Sequence, residues 1–129
     1  MKYSKYYNVK TKTTDGQVFD SMKEARRWEQ LLMLQKAGKI NHLQRQVPFE
    51  LLPNQYETIE RYSKRGDRLK DGTKLVERKI DYVADFTYLD ADTGVLTVED
   101  TKSKATRTKD YIIKRKLMYA IHGIKVKEV

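Results

Sequence analysis

Two strand-like segments joined by a short turn-forming linker constrain this chain more than any other feature. Residues 82–89 and 95–102 are rich in β-branched, aromatic and alternating apolar side chains, and residues 90–94 between them end in glycine. If the last four linker residues form the loop of a hairpin, Asp85 lies directly opposite Asp100. Cβ atoms at such positions are about 5 Å apart and like charges there repel, so the pairing makes sense where a cation lies between the carboxylates.

Lys102 extends this acidic pair into a candidate site for phosphodiester hydrolysis. It lies two residues beyond Asp100 and so on the same face of its strand. Asp85 and Asp100 would hold Mg²⁺ or Mn²⁺, helped by a backbone carbonyl near Thr101. Lys102 would orient the attacking water and stabilise the negative charge that develops. A loop of odd length would instead place Glu99 opposite Asp85, which makes Glu99 the alternative ligand.

Both strands also have a purely structural interpretation. Asp85 would face water if its strand were a sheet edge, and Asp100 with Lys102 would be an ordinary surface ion pair. An unpaired charge among the apolar neighbours of Asp85 is costly. The functional interpretation is favoured because the partner strand offers matching charges.

Composition narrows the chemistry that the chain can support. A chain of 129 residues with no cysteine predicts one domain, residues 1–129, without disulfides or thiolate ligands. His42 and His122 are isolated, so a metal site has to use oxygen ligands. The absence of a glycine-rich phosphate loop, G-x-S-x-G and H-E-x-x-H removes support for an NTPase, a serine hydrolase or a zincin. No segment has the pattern of a secretory signal or a membrane span, so we expect a cytoplasmic protein.

Basic residues are concentrated late in the chain and in one internal segment. Residues 101–129 carry nine Lys or Arg against two acidic residues, out of a net charge of +9. This distribution favours binding to a polyanion, because each phosphate contact releases counterions, although a solvated basic helix is the plain alternative. Residues 64–74 are charged and glycine-punctuated, which predicts a mobile loop. The candidate DNA contacts are Lys64, Arg65, Arg68, Lys104, Arg107, Lys109, Arg115 and Lys116.

The rest of the pattern predicts an α/β domain with one mixed sheet and helices packed on it. The predicted helices cover residues 21–37 and 106–121, and Gly38 and Gly123 follow them. The predicted strands are 43–52, 55–63, 75–89, 95–101 and 124–129, with a small type I′ hairpin around Asp15-Gly16. The residues predicted to face the core are Met22, Ala25, Trp28, Leu31, Leu32, Tyr111, Ile112, Leu117, Met118 and Ile121. Tyr3, Tyr6 and Tyr7 either stack on bases or, as is more common, cover a core edge.

Glu24 has two credible roles. Ser21 and Glu24 have the spacing of a capping box, in which the glutamate bonds back to the N-cap amide. Glu24 also lies four residues before Trp28, on the margin of the apolar helix face, from which it could reach the metal site. Gln46 on the following strand could support the site, although strand glutamines usually face solvent.

Taken in order, these residues resemble the PD-(D/E)XK nuclease superfamily, which has the restriction-endonuclease-like fold. The resemblance rests on Glu24 in a helix, Gln46, Asp85 in Tyr-Val-Ala-Asp-Phe, Asp100-Thr-Lys102, and then a basic helix followed by a short strand. Alanine stands before Asp85 where the superfamily name has proline. The chain is also similar to small nuclease-like proteins of phages and prophages.

The resemblance implies an α-β-β-β-α-β core and a Mg²⁺- or Mn²⁺-dependent DNA endonuclease, structure-specific or resembling Holliday-junction resolvases. Asp85, Asp100 and Lys102 would be the catalytic core, and Glu24 an additional acid and metal ligand. The expected partner is double-stranded or branched DNA in the cytoplasm, the host's if a phage encodes the chain. Cutting both strands together needs two sites, which favours a homodimer. The alternatives are a non-catalytic DNA-binding module and a phage interaction protein on the same scaffold.

Overall fold

The computed structural model describes residues 10–129, which form an α/β domain with a central mixed sheet and two helices. Tyr3, Tyr6 and Tyr7 lie outside the described residues. Neither helix of the described part is long and apolar enough to cross a bilayer. In chain order the elements are β1 (Thr11–Lys12), β2 (Val18–Phe19), α1 (Met22–Lys36), β3 (Ile40–Leu52), β4 (Gln55–Ile59), β5 (Gly72–Glu77), β6 (Ile80–Asp90), β7 (Leu96–Asp100), α2 (Lys109–His122) and β8 (Lys127–Glu128).

The central sheet has four strands in the order β3-β6-β7-β8. β6 is antiparallel to both β3 and β7, and β8 runs parallel to β7. β1 pairs with β2, and β4 pairs with β5, in separate two-stranded sheets. The prediction of a mixed sheet with flanking helices is therefore confirmed, while the prediction of one sheet only is wrong.

The hairpin of β6 and β7 has the predicted even-loop register. Leu89 pairs with Leu96 and Thr87 with Val98. The Asp90 carboxylate accepts hydrogen bonds from the backbone amides of Asp92 and Thr93, both at 2.9 Å, and these bonds fix the turn. The odd-length loop that would have brought Glu99 opposite Asp85 is wrong.

Both helices form close to where the sequence predicts them. Ser21 caps α1 by accepting from the Glu24 amide at 3.2 Å, and Gly38 follows the helix with a φ of +76°. α2 begins three residues later than predicted, because Thr108 is its N-cap and residues 103–106 form a separate turn. Met22 and Ile121 are about half exposed, so their predicted core positions are wrong.

Other boundaries differ more. The predicted strand 75–89 breaks at Arg78-Lys79 into β5 and β6. The predicted loop 64–74 is shorter, because its last three residues begin β5, and Tyr62 bridges to Arg68. The hairpin of β1 and β2 forms, but its turn is not type I′, because Asp15 lacks the positive φ that this type needs.

Two core clusters meet at the middle of β6. The first joins α1 to Phe86 and Tyr88, and the second joins α2 to Tyr82 and Ala84. Asp85 lies between them. A carboxylate that is buried on this strand costs stability unless hydrogen bonds, a positive charge or a metal ion compensate it, so its position indicates a candidate site. The cluster around α1 is Phe19, Ala25, Trp28, Leu31, Ile40, Phe86 and Tyr88, and the cluster around α2 is Leu51, Tyr82, Ala84, Val98, Tyr111, Met118 and Val126.

Candidate functional site

Two buried carboxylates form the centre of the candidate site. Asp85 retains 9% of its exposure and Asp100 only 3%. The amide and the hydroxyl of Thr101 both donate to Oδ2 of Asp85, at 2.8 and 2.7 Å. The hydroxyl of Tyr82 donates to Oδ2 of Asp100 at 2.6 Å. Each carboxylate is thus held in place by a neighbour that donates hydrogen bonds to it.

The contact with Asp85 affects the pKa of Asp100. Burial, followed by a hydrogen bond to Asp85 and by the Asp85 charge, raises the pKa of Asp100 to about 7, although Tyr82 and Lys102 act in the opposite direction. Asp100 therefore carries a proton during much of the time near neutral pH. Carboxylates brought together in this way are usual where a cation or a reacting proton is handled.

Lys102 lies beside the acidic pair. Its Nζ is 3.4 Å from Oδ1 of Asp100 and 4.5 Å from the centre of the Tyr111 ring. Its backbone is held as well, because its carbonyl accepts from Nζ of Lys23 at 2.8 Å and its amide donates to the carbonyl of Val129 at 3.0 Å. The ammonium group therefore lies between Asp100 and the Tyr111 ring, and the backbone of Lys102 is held separately.

Glu24 approaches the same cluster from α1. Burial and then the Asp85 charge raise the pKa of Glu24, while Thr101 lowers it. Ser21 provides its half of the capping box, but among the described residues the Ser21 amide donates no hydrogen bond to the Glu24 carboxylate. The Glu24 carboxyl thus lies by Asp85 and Thr101, as the metal-site hypothesis for Glu24 requires.

Glu99 is fully buried outside this cluster. Nε and Nη2 of Arg27 donate to its two carboxylate oxygens, each at 2.7 Å, and the Tyr88 hydroxyl also donates to it. Burial raises the pKa of Glu99, but the bonds from Arg27 and Tyr88 outweigh this effect and leave the pKa lowered. Both carboxylate oxygens of Glu99 are bound in a structural ion pair with Arg27. The prediction of Glu99 as the alternative metal ligand is therefore wrong.

The acidic pair opens into a groove between β6 and the start of α2. Tyr82, Val83, Thr108, Asp110, Tyr111 and Lys114 line this groove together with Asp85, Asp100 and Lys102. Its basic side chains are Lys102 and Lys114. Phosphate oxygens entering the groove would therefore meet two ammonium groups close to the carboxylates.

The predicted DNA contacts are distributed over several surfaces. Arg107 and Arg115 both bind Glu128, at 3.2 and 3.4 Å, and Arg115 with Lys116 lines a different cavity of about 590 Å³. Lys104 and Lys109 are exposed near the start of α2. Lys64 and Arg65 are exposed between β4 and β5, and Arg68 there binds Asp71 at 2.6 Å. None of these eight residues lines the groove of the acidic pair.

Gln46 is exposed, and its φ of 53° is unusual for a residue other than glycine. Its neighbours Arg45 and Val47 pair with Phe86 and Ala84, so the register places Gln46 opposite Asp85. The backbone of β3 is therefore distorted beside the acidic pair. The predicted supporting role of Gln46 stays a prediction.

Sequence reasoning missed Tyr82, Tyr111 and Lys114 as members of the site. Thr101 was considered only for its backbone carbonyl, whereas its amide and hydroxyl hold Asp85. Its position between Asp100 and Lys102 was the available signal for that role. Tyr111 and Lys114 were already on the predicted basic helix, but only the packing of α2 shows that they face the groove.

A comparison with known proteins adds a family assignment. Neither the curated proteins nor the solved structures contain a match to this chain. A family model does match, over residues 3–128, which is nearly the whole sequence. The chain therefore belongs to the DUF1064 family, which is described as a protein family of unknown function.

Proposed function

We propose that this chain is a divalent-metal-dependent DNA endonuclease of the PD-(D/E)XK type. The observation that carries the proposal is the contact of two buried carboxylates, Asp85 and Asp100, with the Lys102 ammonium 3.4 Å from the second of them. The order of the central elements, α1-β3-β6-β7-α2-β8, agrees with the α-β-β-β-α-β core that the resemblance implies.

The residues present fit a hard cation. Within residues 10–129, no group of three or more His, Cys, Asp or Glu side chains is close enough to form a complete metal cage. Mg²⁺ does not need one, because it is commonly held by one or two carboxylates, with waters and substrate phosphates as its other ligands. Asp85 and Asp100 would hold the cation, and Glu24, which lies beside Asp85, would act on it through a water molecule. The bound cation would polarise the phosphodiester and lower the pKa of a water molecule.

The chain's own groups have separable tasks. Thr101 fixes the Asp85 carboxylate through two hydrogen bonds, and Tyr82 fixes that of Asp100. Lys102 keeps a positive charge at the mouth of the acidic pair, where negative charge grows on the phosphorus oxygens in the transition state. Tyr111 supports the Lys102 ammonium with its ring face.

Cleavage assays with a charge-free replacement of the lysine test this proposal. Wild-type protein should cut plasmid, linear or branched DNA when Mg²⁺ or Mn²⁺ is added, and the Lys102→Met variant should be slower by about 10²-fold, the usual cost of losing one group that stabilises transition-state charge. Rates are measured by gel electrophoresis of labelled DNA.

The matched control is Lys39→Met, an exposed lysine after α1, which should cut as wild type does. Absence of cleavage of every DNA form by the wild type, with either metal, would contradict the proposal and favour the non-catalytic DNA-binding module. Equal rates for wild type and Lys102→Met would contradict the role given to the lysine.

A further inference from the structure

The hairpin of β4 and β5, here called the arm (residues 55–77), stands apart from both cores. Its two strands pair with each other and belong to no larger sheet. No arm residue belongs to either core cluster, and almost every residue of the two strands is exposed. Both faces and both edges of a two-stranded ribbon are thus open to a partner.

Such a ribbon gains little from its own packing. An isolated two-stranded hairpin is marginally stable in water, and open strand edges invite unwanted pairing. A chain that keeps a ribbon of this kind outside its cores is expected to use it for binding. The sequence of the arm then indicates what kind of partner it binds.

The charge of the arm's end favours a polyanion. Residues 61–70 carry five basic residues and one acidic residue. Lys64 and Arg65 make no ion pair with any described residue, whereas Arg68 binds Asp71 and lies 5.7 Å from the centre of the Tyr62 ring. The whole arm carries six basic and five acidic residues, so its positive charge is concentrated at this end. A tip-to-tip contact with a second copy of the chain would bring like charges together, so charge disfavours that occupant.

The shape of the arm suits duplex DNA. The major groove of B-DNA admits a two-stranded β-ribbon, whereas the minor groove is about half as wide. The six residues of β5 give the paired part of the arm a length of about 20 Å, which exceeds the depth of the major groove. The tip of the arm would then place the unpaired side chains of Lys64 and Arg65 near phosphates on either side of the groove.

The arm is also connected to the acidic pair. β3 leads into β4 through Pro53-Asn54, and β5 leads through Arg78-Lys79 into β6, which carries Asp85. A shallow cavity at the arm's base is lined by Lys79, Ile80 and Lys114, and Lys114 also lines the groove of the acidic pair. Asp81 and Asp110 also line this cavity, and Lys79 pairs with Asp81 at 3.2 Å, so charged side chains of both signs connect the arm's base with the site.

From these observations we infer that the arm is a β-ribbon that enters the major groove of duplex DNA and holds the duplex over Asp85 and Asp100. The inference rests on the proposed function for the identity of the polymer. It adds the substrate class, which is duplex DNA, and the element that recognises it. The arm would govern how the duplex is held, while the acidic pair would carry out hydrolysis.

Binding measurements without metal test the inference separately from cleavage. We expect the double variant Lys64→Ala, Arg65→Ala to bind a short labelled duplex about tenfold more weakly than wild type, with a salt slope reduced by about one to two, because two phosphate contacts are lost. Binding to a single strand of the same length should change much less. The matched control is the double variant Lys36→Ala, Lys39→Ala, which replaces one exposed lysine at the end of α1 and one just after it and should bind both DNA forms as wild type does.

A second probe tests the groove. A duplex whose cytosines carry glucosyl groups at the 5-position has a filled major groove, and wild type should bind it as weakly as the arm variant binds plain duplex. Equal binding of plain and glucosylated duplex by wild type would overturn the inference. So would equal losses for duplex and single strand, or an arm variant that loses self-association while it keeps duplex binding.

Failure of this inference differs from failure of the proposed function. A chain that binds duplex through the arm without cutting it in Mg²⁺ or Mn²⁺ contradicts only the proposed function. A chain that cuts DNA, and whose arm variant binds duplex like wild type, contradicts only the inference. Circular dichroism of the variants checks their folding, which should be unchanged because both replaced side chains are exposed.

Discussion

Asp100→Asn is expected to slow DNA cleavage strongly and, at neutral to alkaline pH, to stabilise the fold. The amide keeps the size of the carboxylate and still accepts from the Tyr82 hydroxyl, but it offers a metal only one weak oxygen ligand. The cleavage rate should fall by about 10²-fold or more, because a cation that Asp100 no longer holds cannot stabilise the negative charge of the transition state.

The gain in stability follows from the raised pKa. In the folded chain Asp100 keeps its proton up to about pH 7, whereas the same group in the unfolded chain loses it near 3.8. The unfolded state binds fewer protons between these values, so the free energy of unfolding falls as the pH rises through that range and stays lower above it. A neutral amide has no such penalty, and the variant should be more stable at pH 8 by on the order of 2 kcal/mol.

Urea unfolding at pH 4 and pH 8, together with cleavage assays, checks both effects. The advantage of the Asp100→Asn variant should be large at pH 8 and nearly absent at pH 4. Asp92→Asn is the matched control, because Asp92 is exposed in the loop of the same hairpin and its replacement should change neither quantity. A variant that is less stable than wild type at pH 8, or that cuts DNA normally, would contradict the place given to Asp100.

Breaking the Arg27–Glu99 pair should have the largest effect on stability. Glu99 is fully buried, and Arg27 binds both of its oxygens at 2.7 Å. Glu99→Ala removes one partner of a buried pair, and we expect a loss of about 3–5 kcal/mol in the free energy of unfolding. Because the pKa of Glu99 is lowered, its ionised form contributes stability above about pH 4.5, and this contribution is lost as the pH falls below that value.

Urea unfolding followed by circular dichroism measures this loss. The control pair is Arg68 and Asp71, whose side chains are 47% and 49% exposed at a similar distance of 2.6 Å, and Asp71→Ala should cost less than about 1 kcal/mol. Replacing both partners, as Arg27→Met with Glu99→Leu, should recover much of the stability. Equal costs for Glu99→Ala and Asp71→Ala would show that the buried pair has no special role in the fold.

The acidic pair and its register were predictable because they depend on local chain geometry. An even loop closed by Asp90 and Gly94, combined with the two-residue period of a strand, is enough to bring Asp85 opposite Asp100. The position of Glu24 followed from helical spacing relative to Trp28. These predictions needed only neighbours along the chain or across one turn.

The features that sequence reasoning missed depend on contacts between distant segments. Arg27 and Glu99 are 72 residues apart, and no pattern in the sequence links them. The arm was missed because the apolar pattern from Leu75 to Leu89 predicts one continuous strand. Neither glycine nor proline occurs at Arg78-Lys79, so the sequence has no signal for the break between β5 and β6. Which face of α2 meets the groove was decided by its packing at Tyr111 and Met118.

Calorimetric titration of Mn²⁺ tests the central claim most directly. Wild-type protein, alone and with a duplex made non-cleavable by phosphorothioate linkages, is compared with an Asp85→Asn, Asp100→Asn double variant that circular dichroism shows to be folded. Mn²⁺ binding by the wild type, alone or with the duplex, that is lost in the double variant is the predicted result. Equal binding by both proteins, or no binding by the wild type even with the duplex, would contradict a metal site at Asp85 and Asp100.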